Sequence, residues 1–81
     1  MDNKHVRATA IRFEDGQFVV TLSGGSELVV PLAQFPTLGS ATRSQLESVR
    51  ISPSGRGLHW DELDEDISVD GLLRDQETFR R

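Results

Sequence analysis

Alternating apolar and polar residues in the first third of the chain predict three β-strands. Ile11 and Phe13 alternate with polar neighbours, and Asp15-Gly16 follows them as the signal of a two-residue hairpin. The same apolar face continues through two more strands, separated by a second turn cluster at residues 23–26, and its members are Phe18, Val20, Leu22, Leu28 and Val30. Pro31 ends the third strand because proline cannot donate to a ladder. We therefore expect a three-stranded antiparallel meander.

Shorter elements are predicted after the meander. Thr42, followed three residues later by Gln45, has the spacing of a capping box and predicts a helix over about residues 43–48. Two further short strands are expected, one carrying Val49 and Ile51 and one over residues 58–60. Ser68 can cap a last short helix that runs through residues 72–73. The expected fold class is α+β: a small antiparallel sheet, made of the three-stranded N-terminal meander plus short C-terminal strands, with two short helices.

The length of 81 residues leaves room for one hydrophobic core, so residues 1–81 are expected to form a single small domain with residues 1–7 and 75–81 frayed. The chain has no cysteine, which fits a reducing compartment. Its N-terminus lacks the apolar stretch of a signal peptide, and no apolar run approaches the roughly 20 residues of a membrane helix. We expect a cytoplasmic protein that does not bind a membrane.

Negative charge is concentrated in one stretch of the sequence. Eight acidic residues and one basic residue lie between Leu58 and Glu77, whereas residues 1–57 hold five acids and six bases. Apolar residues, among them Trp60, Leu63 and Ile67, interrupt the acids, so the stretch is expected to fold and to present its carboxylates from a fixed scaffold. The acidic balance argues against direct nucleic-acid binding, which requires clustered Lys and Arg.

Candidate chemistry in this acidic stretch is weak. An EF-hand-like spacing is formed by five residues, Asp66, Ser68, Asp70, Gly71 and Glu77. Val69 interrupts these ligands, and Pro53, Gly55 and Gly57 leave no entering helix, so coincidence explains the spacing better than a calcium site. No nucleophile stands in a recognisable catalytic arrangement. We expect no catalytic residues, no metal and no cofactor, with His59 a strand residue and Trp60 part of the core, an interface anchor being the alternative for Trp60.

The residues from Gly57 to Leu73 resemble the C-terminal signature of a bacterial protein family, the domain of unknown function 2442 family. Supporting stretches are residues 13–16, 30–32, 35–38 and 41–42. Departures occur at residues 23–26, where an Asp-Gly-Arg turn is more usual, and at Val49, where tryptophan is common. The resemblance implies a small α+β domain whose members look like partners of a second small protein, in a toxin–antitoxin-like arrangement. It implies no catalytic residues.

These observations together favour a non-catalytic protein-binding or regulatory module, the antitoxin-like half of a bacterial two-protein system. Its partner is expected to be a protein with a basic surface, and homodimer formation stays open. The carboxylates would steer association. Exposed apolar residues, namely Phe79 in addition to the site residues Leu63 and Phe35, would supply affinity. The predicted partner-binding residues are Asp61, Glu62, Leu63, Asp64, Glu65, Asp66 and Phe35.

Two other interpretations of the acidic stretch stay open on sequence grounds. The carboxylates could imitate phosphates, which would make the protein an acidic, nucleic-acid-mimicking inhibitor of a nuclease-type effector. They could instead be structural, with Asp64 and Asp66 accepting backbone hydrogen bonds in a tight turn before Ser68. A metal-binding or hydrolytic role is the least favoured class.

Overall fold

The computed structural model describes the backbone of residues 6–79 and the side chains of residues 6–75. Within that range, six strands form two antiparallel three-stranded sheets, accompanied by three short α-helices. The strands are β1 (Ala8–Glu14), β2 (Gln17–Leu22), β3 (Glu27–Pro31), β4 (Arg50–Ile51), β5 (Gly57–Trp60) and β6 (Glu65–Ser68). The helices are α1 (Pro36–Gly39), α2 (Arg43–Glu47) and α3 (Val69–Phe79), with 3₁₀ turns at Leu32–Gln34 and Asp61–Leu63. The predicted small α+β class is confirmed, and β6 and α1 are additions to the predicted elements.

The first sheet, β1-β2-β3, is the predicted meander. Its register pairs Phe13 with Phe18 across the first hairpin and Phe18 with Val30 across the second. Gly16 sits in the first turn with φ 72°, the left-handed region that the predicted two-residue hairpin requires. The apolar face deduced from alternation is therefore the face that packs into the core. Val19, on the opposite face, is also buried, between its cross-strand neighbours Arg12 and Val29.

The second sheet, β4-β5-β6, is built from much shorter strands. Leu58 pairs with Ile67 on the core side, while His59 lies between Arg50 and Asp66 on the outward side. The strand predicted to carry Val49 and Ile51 starts one residue later than expected. The Val49 amide instead donates to the Leu46 carbonyl at the end of α2, at 3.3 Å.

One hydrophobic core is shared by the two sheets. Trp60, which is fully buried, meets Phe18 edge-on with ring centroids 6.0 Å apart. Its indole Nε1–H donates to the Leu46 carbonyl at 3.0 Å, so a buried polar group is satisfied while β5 is tied to α2. The core interpretation of Trp60 is thus confirmed. The two sheets also meet through the backbone, since the Ala8 amide donates to the Gly55 carbonyl at 2.7 Å.

The helix ends follow the predicted capping signals. The Thr42 hydroxyl accepts from the Gln45 amide at 3.1 Å, and the Gln45 side chain accepts from the Thr42 amide at 2.9 Å, completing the capping box. The Ser68 hydroxyl accepts from the Gly71 amide at 3.2 Å where α3 begins. Helix α3 continues to Phe79, well beyond Leu73 where the short helix was expected to reach. The described backbone of α3 thus includes residues 75–79, which were expected to fray. The other residues expected to fray at the two ends, 1–5 and 80–81, lie outside the described residues. The side chain of Phe79 lies outside them as well.

Candidate partner-binding site

The acidic stretch folds as a tight corner between two strands. After Trp60, the chain forms the 3₁₀ turn Asp61–Leu63, in which the Asp64 amide donates to the Asp61 carbonyl at 3.2 Å. Asp64 then adopts φ 55° and ψ 42°, the left-handed conformation that Asp tolerates better than most residues. Strand β6 follows at once. The stretch is therefore ordered by its own backbone, as the apolar interruptions predicted, although β6 itself was not foreseen.

Asp61 is engaged by a base from the neighbouring strand. Its carboxylate accepts from Arg50 Nη2 at 2.9 Å and from Arg50 Nε at 3.3 Å, a two-pronged contact. Hydrogen bonding to Arg50, followed by the attraction of the guanidinium charge, lowers the pKa of Asp61 below its ordinary value of 3.8. Both side chains are largely exposed, so the pair contributes little to stability. It nevertheless neutralises one of the predicted partner-binding carboxylates.

Asp66 is engaged by histidine. The antiparallel register places it opposite His59 on the outward face, with Asp66 Oδ1 2.7 Å from His59 Nδ1. The imidazole also lies close to Gly57, whose missing side chain leaves it room: a Cβ there would be 2.9 Å from His59 Nε2. The expectation that His59 is a strand residue agrees with this geometry, in which its ring is hydrogen-bonded to Asp66. Arg50, His59 and Asp66 form a row across the second sheet.

Three of the predicted acids have no such partner. Among the residues that the structure describes, the side chains of Glu62, Asp64 and Glu65 make no hydrogen bond or ion pair. With Leu63 they form what we call the acidic corner, residues 62–65. Glu65 pairs with Trp60 and so belongs to the core side of β6, whereas Asp66 belongs to the outward side. The predicted rim is consequently divided between two faces of the second sheet, because strand alternation sends consecutive residues to opposite sides.

The two predicted apolar anchors are partly buried. Leu63 and Phe35 both pack against the core cluster, and the Phe35 ring lies 6.5 Å from the ring of Phe18. Each keeps some surface open to solvent. They contribute to packing and leave only part of their surface for a partner.

A cleft of about 180 Å³ brings Phe35 together with the acidic residues of β6 and α3. Its lining residues are Phe35, Asp66, Ile67, Ser68, Gly71, Leu72 and Asp75. Drug-sized ligands and cofactors occupy pockets of about 300–1,000 Å³, so the cleft has room for roughly one side chain. Asp75 was not among the predicted residues. It lies four residues after Gly71 on α3, a spacing that would have placed it on the same helix face had the helix been extended past Leu73.

The structure gives the EF-hand-like spacing no loop to occupy. Asp66 lies in strand β6, Ser68 caps α3, and Asp70 and Gly71 lie within that helix. An EF-hand requires these positions in one loop that turns around the ion. No group of three His, Asp or Glu side chains suited to a metal is found within the described part of the chain.

Comparisons with known proteins give the family of this chain. A family model described as a protein of unknown function, DUF2442, matches residues 8–78. The chain belongs to this family. The matched residues include the buried core cluster and the acidic stretch between Leu58 and Glu77.

Two solved structures are similar to the DUF2442 chain. One is a crystal structure of a protein of unknown function from Rhodospirillum rubrum, 33% identical, with a TM-score of 0.77, covering 86% of this chain and 87% of that one. The other is a solution NMR structure of an uncharacterized protein from Chromobacterium violaceum, 31% identical, with a TM-score of 0.72. That match covers 84% of this chain and 64% of the other, so this chain spans less than two thirds of the second relative.

A search of curated proteins finds no match to the chain. The described helices include none that is long and apolar enough to cross a membrane.

Proposed function

We propose that this DUF2442 chain is a non-catalytic protein-binding module, the antitoxin-like or regulatory half of a bacterial two-protein system, and that it acts in the cytoplasm. Its partner would be a protein with a basic surface. The observation that carries the proposal is the contrast, in the second sheet and its corner, between carboxylates bonded to the protein's own side chains and carboxylates that make no such bond among the described residues. Asp61 and Asp66 are held by Arg50 and His59, whereas the acidic corner keeps its charges uncompensated on an ordered turn.

A fixed group of like charges acts mainly on the encounter with a partner. Uncompensated carboxylates raise the local concentration of a basic protein and orient it, so they accelerate association more than they strengthen the final complex. The left-handed Asp64 and the 3₁₀ turn before it fix the backbone from which these carboxylates project. The partly exposed Leu63 supplies apolar area within the acidic corner, and Phe35 supplies it in the neighbouring cleft that Asp66 also lines.

The same geometry supports a protein partner better than mimicry of a nucleic acid. A phosphate mimic needs carboxylates spaced evenly along one surface, and here consecutive acids Glu65 and Asp66 belong to opposite faces. Two of the five predicted acids, Asp61 and Asp66, are also bonded to the protein's own Arg50 and His59. We therefore keep the mimic as the competing outcome of the experiment.

The test compares two single charge reversals in the kinetics of association with a partner purified from the producing organism. Glu62→Lys reverses a charge in the acidic corner, and Asp15→Lys makes the same change in the first hairpin, where the side chain is also exposed. We expect Glu62→Lys to slow association about fivefold at low salt, with the difference shrinking as salt is added. Asp15→Lys should stay close to the parent protein.

Equal association rates for the parent and both variants, or rates insensitive to salt, would contradict the proposal. Competition between duplex DNA and this protein for the partner would favour the mimic instead. Circular dichroism of each variant establishes that the fold is retained.

A further inference from the structure

We propose that the cleft between Arg7 and the turn at residues 52–55 binds a phosphate group. This cleft lies where the two sheets meet, at the point where the Ala8 amide donates to the Gly55 carbonyl at 2.7 Å. It shares no residue with the acidic corner or with the other predicted partner-binding residues. The inference goes beyond the proposed function and does not depend on it.

The first argument is the composition of the cleft wall. The cleft holds about 140 Å³, which is room for a small group and too little for a cofactor. Arg7 supplies a base, Ser52 and Ser54 supply hydroxyl groups, and no acid is among the lining residues. The chain as a whole has a formal net charge of −4, so a cleft lined in this way differs from its surroundings. A guanidinium beside hydroxyl groups is a donor set that suits a phosphate.

The second argument is that the charge of Arg7 has no partner. Three other arginines bond to carboxylates: Arg12, Arg43 and Arg50. The Arg7 guanidinium makes no hydrogen bond or ion pair within the described part of the chain. Its backbone is nevertheless fixed, because its amide donates to Ser23 Oγ at 3.1 Å and its carbonyl accepts from the Ser23 amide at 2.7 Å. A guanidinium on a fixed backbone can donate its planar fork to two oxygens of one phosphate.

The Arg7 side chain begins against the wall of the cleft. A Cβ on Gly55 would lie 2.6 Å from Arg7 Cβ and 3.3 Å from Arg7 Cγ, so the arginine stem packs on a glycine that lines the cleft. Only a residue without a side chain permits this approach. Gly55 directly follows Ser54, which brings the guanidinium within reach of the serine hydroxyl.

The third argument concerns the hydroxyl protons of the turn. Ser52 Oγ accepts from the Gly57 amide at 3.0 Å, and Ser54 Oγ accepts from the Arg56 amide at 3.2 Å. The two hydroxyl oxygens lie 3.1 Å apart, so one of their two protons bridges them, whichever serine donates. The other proton has no acceptor among the described residues and can be donated to a ligand.

The experiment titrates inorganic phosphate into the isotopically labelled full chain at constant ionic strength. The signals followed are the amides of Ser54 and Gly55 and the Nε–H of Arg7. We expect saturable shifts at millimolar phosphate, and binding of acetate, the control oxyanion, at least about fivefold weaker. Methyl phosphate is the third probe: its binding assigns the site to phosphate esters, whereas binding of inorganic phosphate alone assigns it to the free ion.

Two variants that change the net charge equally locate the site. Arg7→Gln keeps the stem against Gly55 and removes the guanidinium, so phosphate binding should weaken at least about fivefold. Arg43→Gln makes the same change in α2, where Arg43 is paired with Glu47, and should change binding less than about twofold. Arg7→Lys keeps the charge without the planar fork and should bind with intermediate affinity. Circular dichroism of each variant checks that the fold is retained.

The inference is overturned if phosphate gives no saturable shifts, if acetate binds as tightly as phosphate, or if Arg7→Gln and Arg43→Gln weaken binding equally. The last result would mean that phosphate responds only to the total charge of the protein. The proposed function is tested separately, because association of the partner with Glu62→Lys is measured without phosphate. Either idea can therefore fail while the other stands.

Discussion

The two sheets differ in how their folds are determined. The strands of the first sheet have seven, six and five residues, and a continuous apolar face specifies their register. The strands of the second have two, four and four residues. Strands that short offer few ladder bonds, so the second sheet depends on contacts from outside it. Those contacts include the Trp60 bond to Leu46 and the amide of Val69 donating to the carbonyl of Arg56 at 2.9 Å.

The two sheets also differ in how the acids on their polar faces are paired. On the first sheet, Arg12 bonds to both Glu14 and Glu27, so each of these acids has a base although one net negative charge remains. On the second sheet, Arg50 pairs with Asp61 and His59 is hydrogen-bonded to Asp66, whereas the acids of the acidic corner make no such contact among the described residues. The comparison teaches that the first sheet serves mainly as a support, whereas the second combines a fragile scaffold with the charges that the proposed function uses.

The largest expected effect comes from removing the anchor of the second sheet. Trp60→Ala should lose about 3–5 kcal/mol of unfolding free energy, which is comparable with the whole stability of a domain this small. We expect the variant to be largely unfolded by circular dichroism. Val29→Thr, on the first sheet at a residue 45% exposed, keeps the β-branched shape that covers Val19; it is the control and should change stability by less than about 0.5 kcal/mol. A folded Trp60→Ala protein would show that the second sheet does not depend on this residue.

A smaller effect should distinguish two glycines with the same backbone conformation. Gly55 has φ 76°, and a Cβ there would lie 2.6 Å from the Cβ of Arg7, whereas Gly16 has φ 72° with open space around it. Gly16→Ala should cost about 1–2 kcal/mol from the left-handed conformation alone. Gly55→Ala should cost more, because the clash also pushes apart the two sheets where Ala8 bonds to Gly55. Urea unfolding measures the loss of unfolding free energy in both variants. Equal losses would mean that the contact between the sheets adjusts to the added Cβ without a free-energy penalty.

The smallest effect concerns acid. Hydrogen bonds lower the pKa of Glu14, Glu27 and Asp61 below their ordinary values of 4.5, 4.5 and 3.8. A lowered pKa in the folded state stabilises the protein above the ordinary value, and this contribution is lost as pH falls through the folded-state pKa.

Stability measured by urea unfolding from about pH 6 down to about pH 2 should therefore fall less steeply in Arg12→Gln than in the parent. Arg50→Gln should flatten the curve less. Arg50 lowers the pKa of Asp61 alone, whereas Arg12 lowers the pKa of Glu27 and, after the larger effect of Gln17, that of Glu14 as well. A larger flattening from Arg50→Gln than from Arg12→Gln would show that the second sheet, and not the first, makes the greater acid-sensitive contribution to stability.

Much of the fold could be predicted because its signals are local. Alternation over residues 11–30 specified the meander, and Thr42 with Gln45 specified the start of α2. Strand β6 was missed because Ile67 is its one buried residue and the acids around it resemble a solvated turn. Helix α3 was underestimated because the sequence after Leu73 is polar.

The site was harder to predict because its geometry depends on pairing between strands. Arg50 and Asp61 are 11 residues apart, and only the register of β4 with β5 brings that part of the chain together. Nothing in the sequence indicated that Asp61 and Asp66 would be matched while Glu62, Asp64 and Glu65 were left. The acidic composition was informative, but the division of charges over two faces required the structure.

The indole of Trp60 has a practical consequence as well. It is the chain's one tryptophan, it is shielded from water, and it touches Phe18 of one sheet while bonded to the helix that leads into the other. Its fluorescence should accordingly be blue-shifted in the native protein and move to longer wavelength when either half loosens. The molecule thus contains a built-in optical reporter of whether its halves come apart together or in sequence.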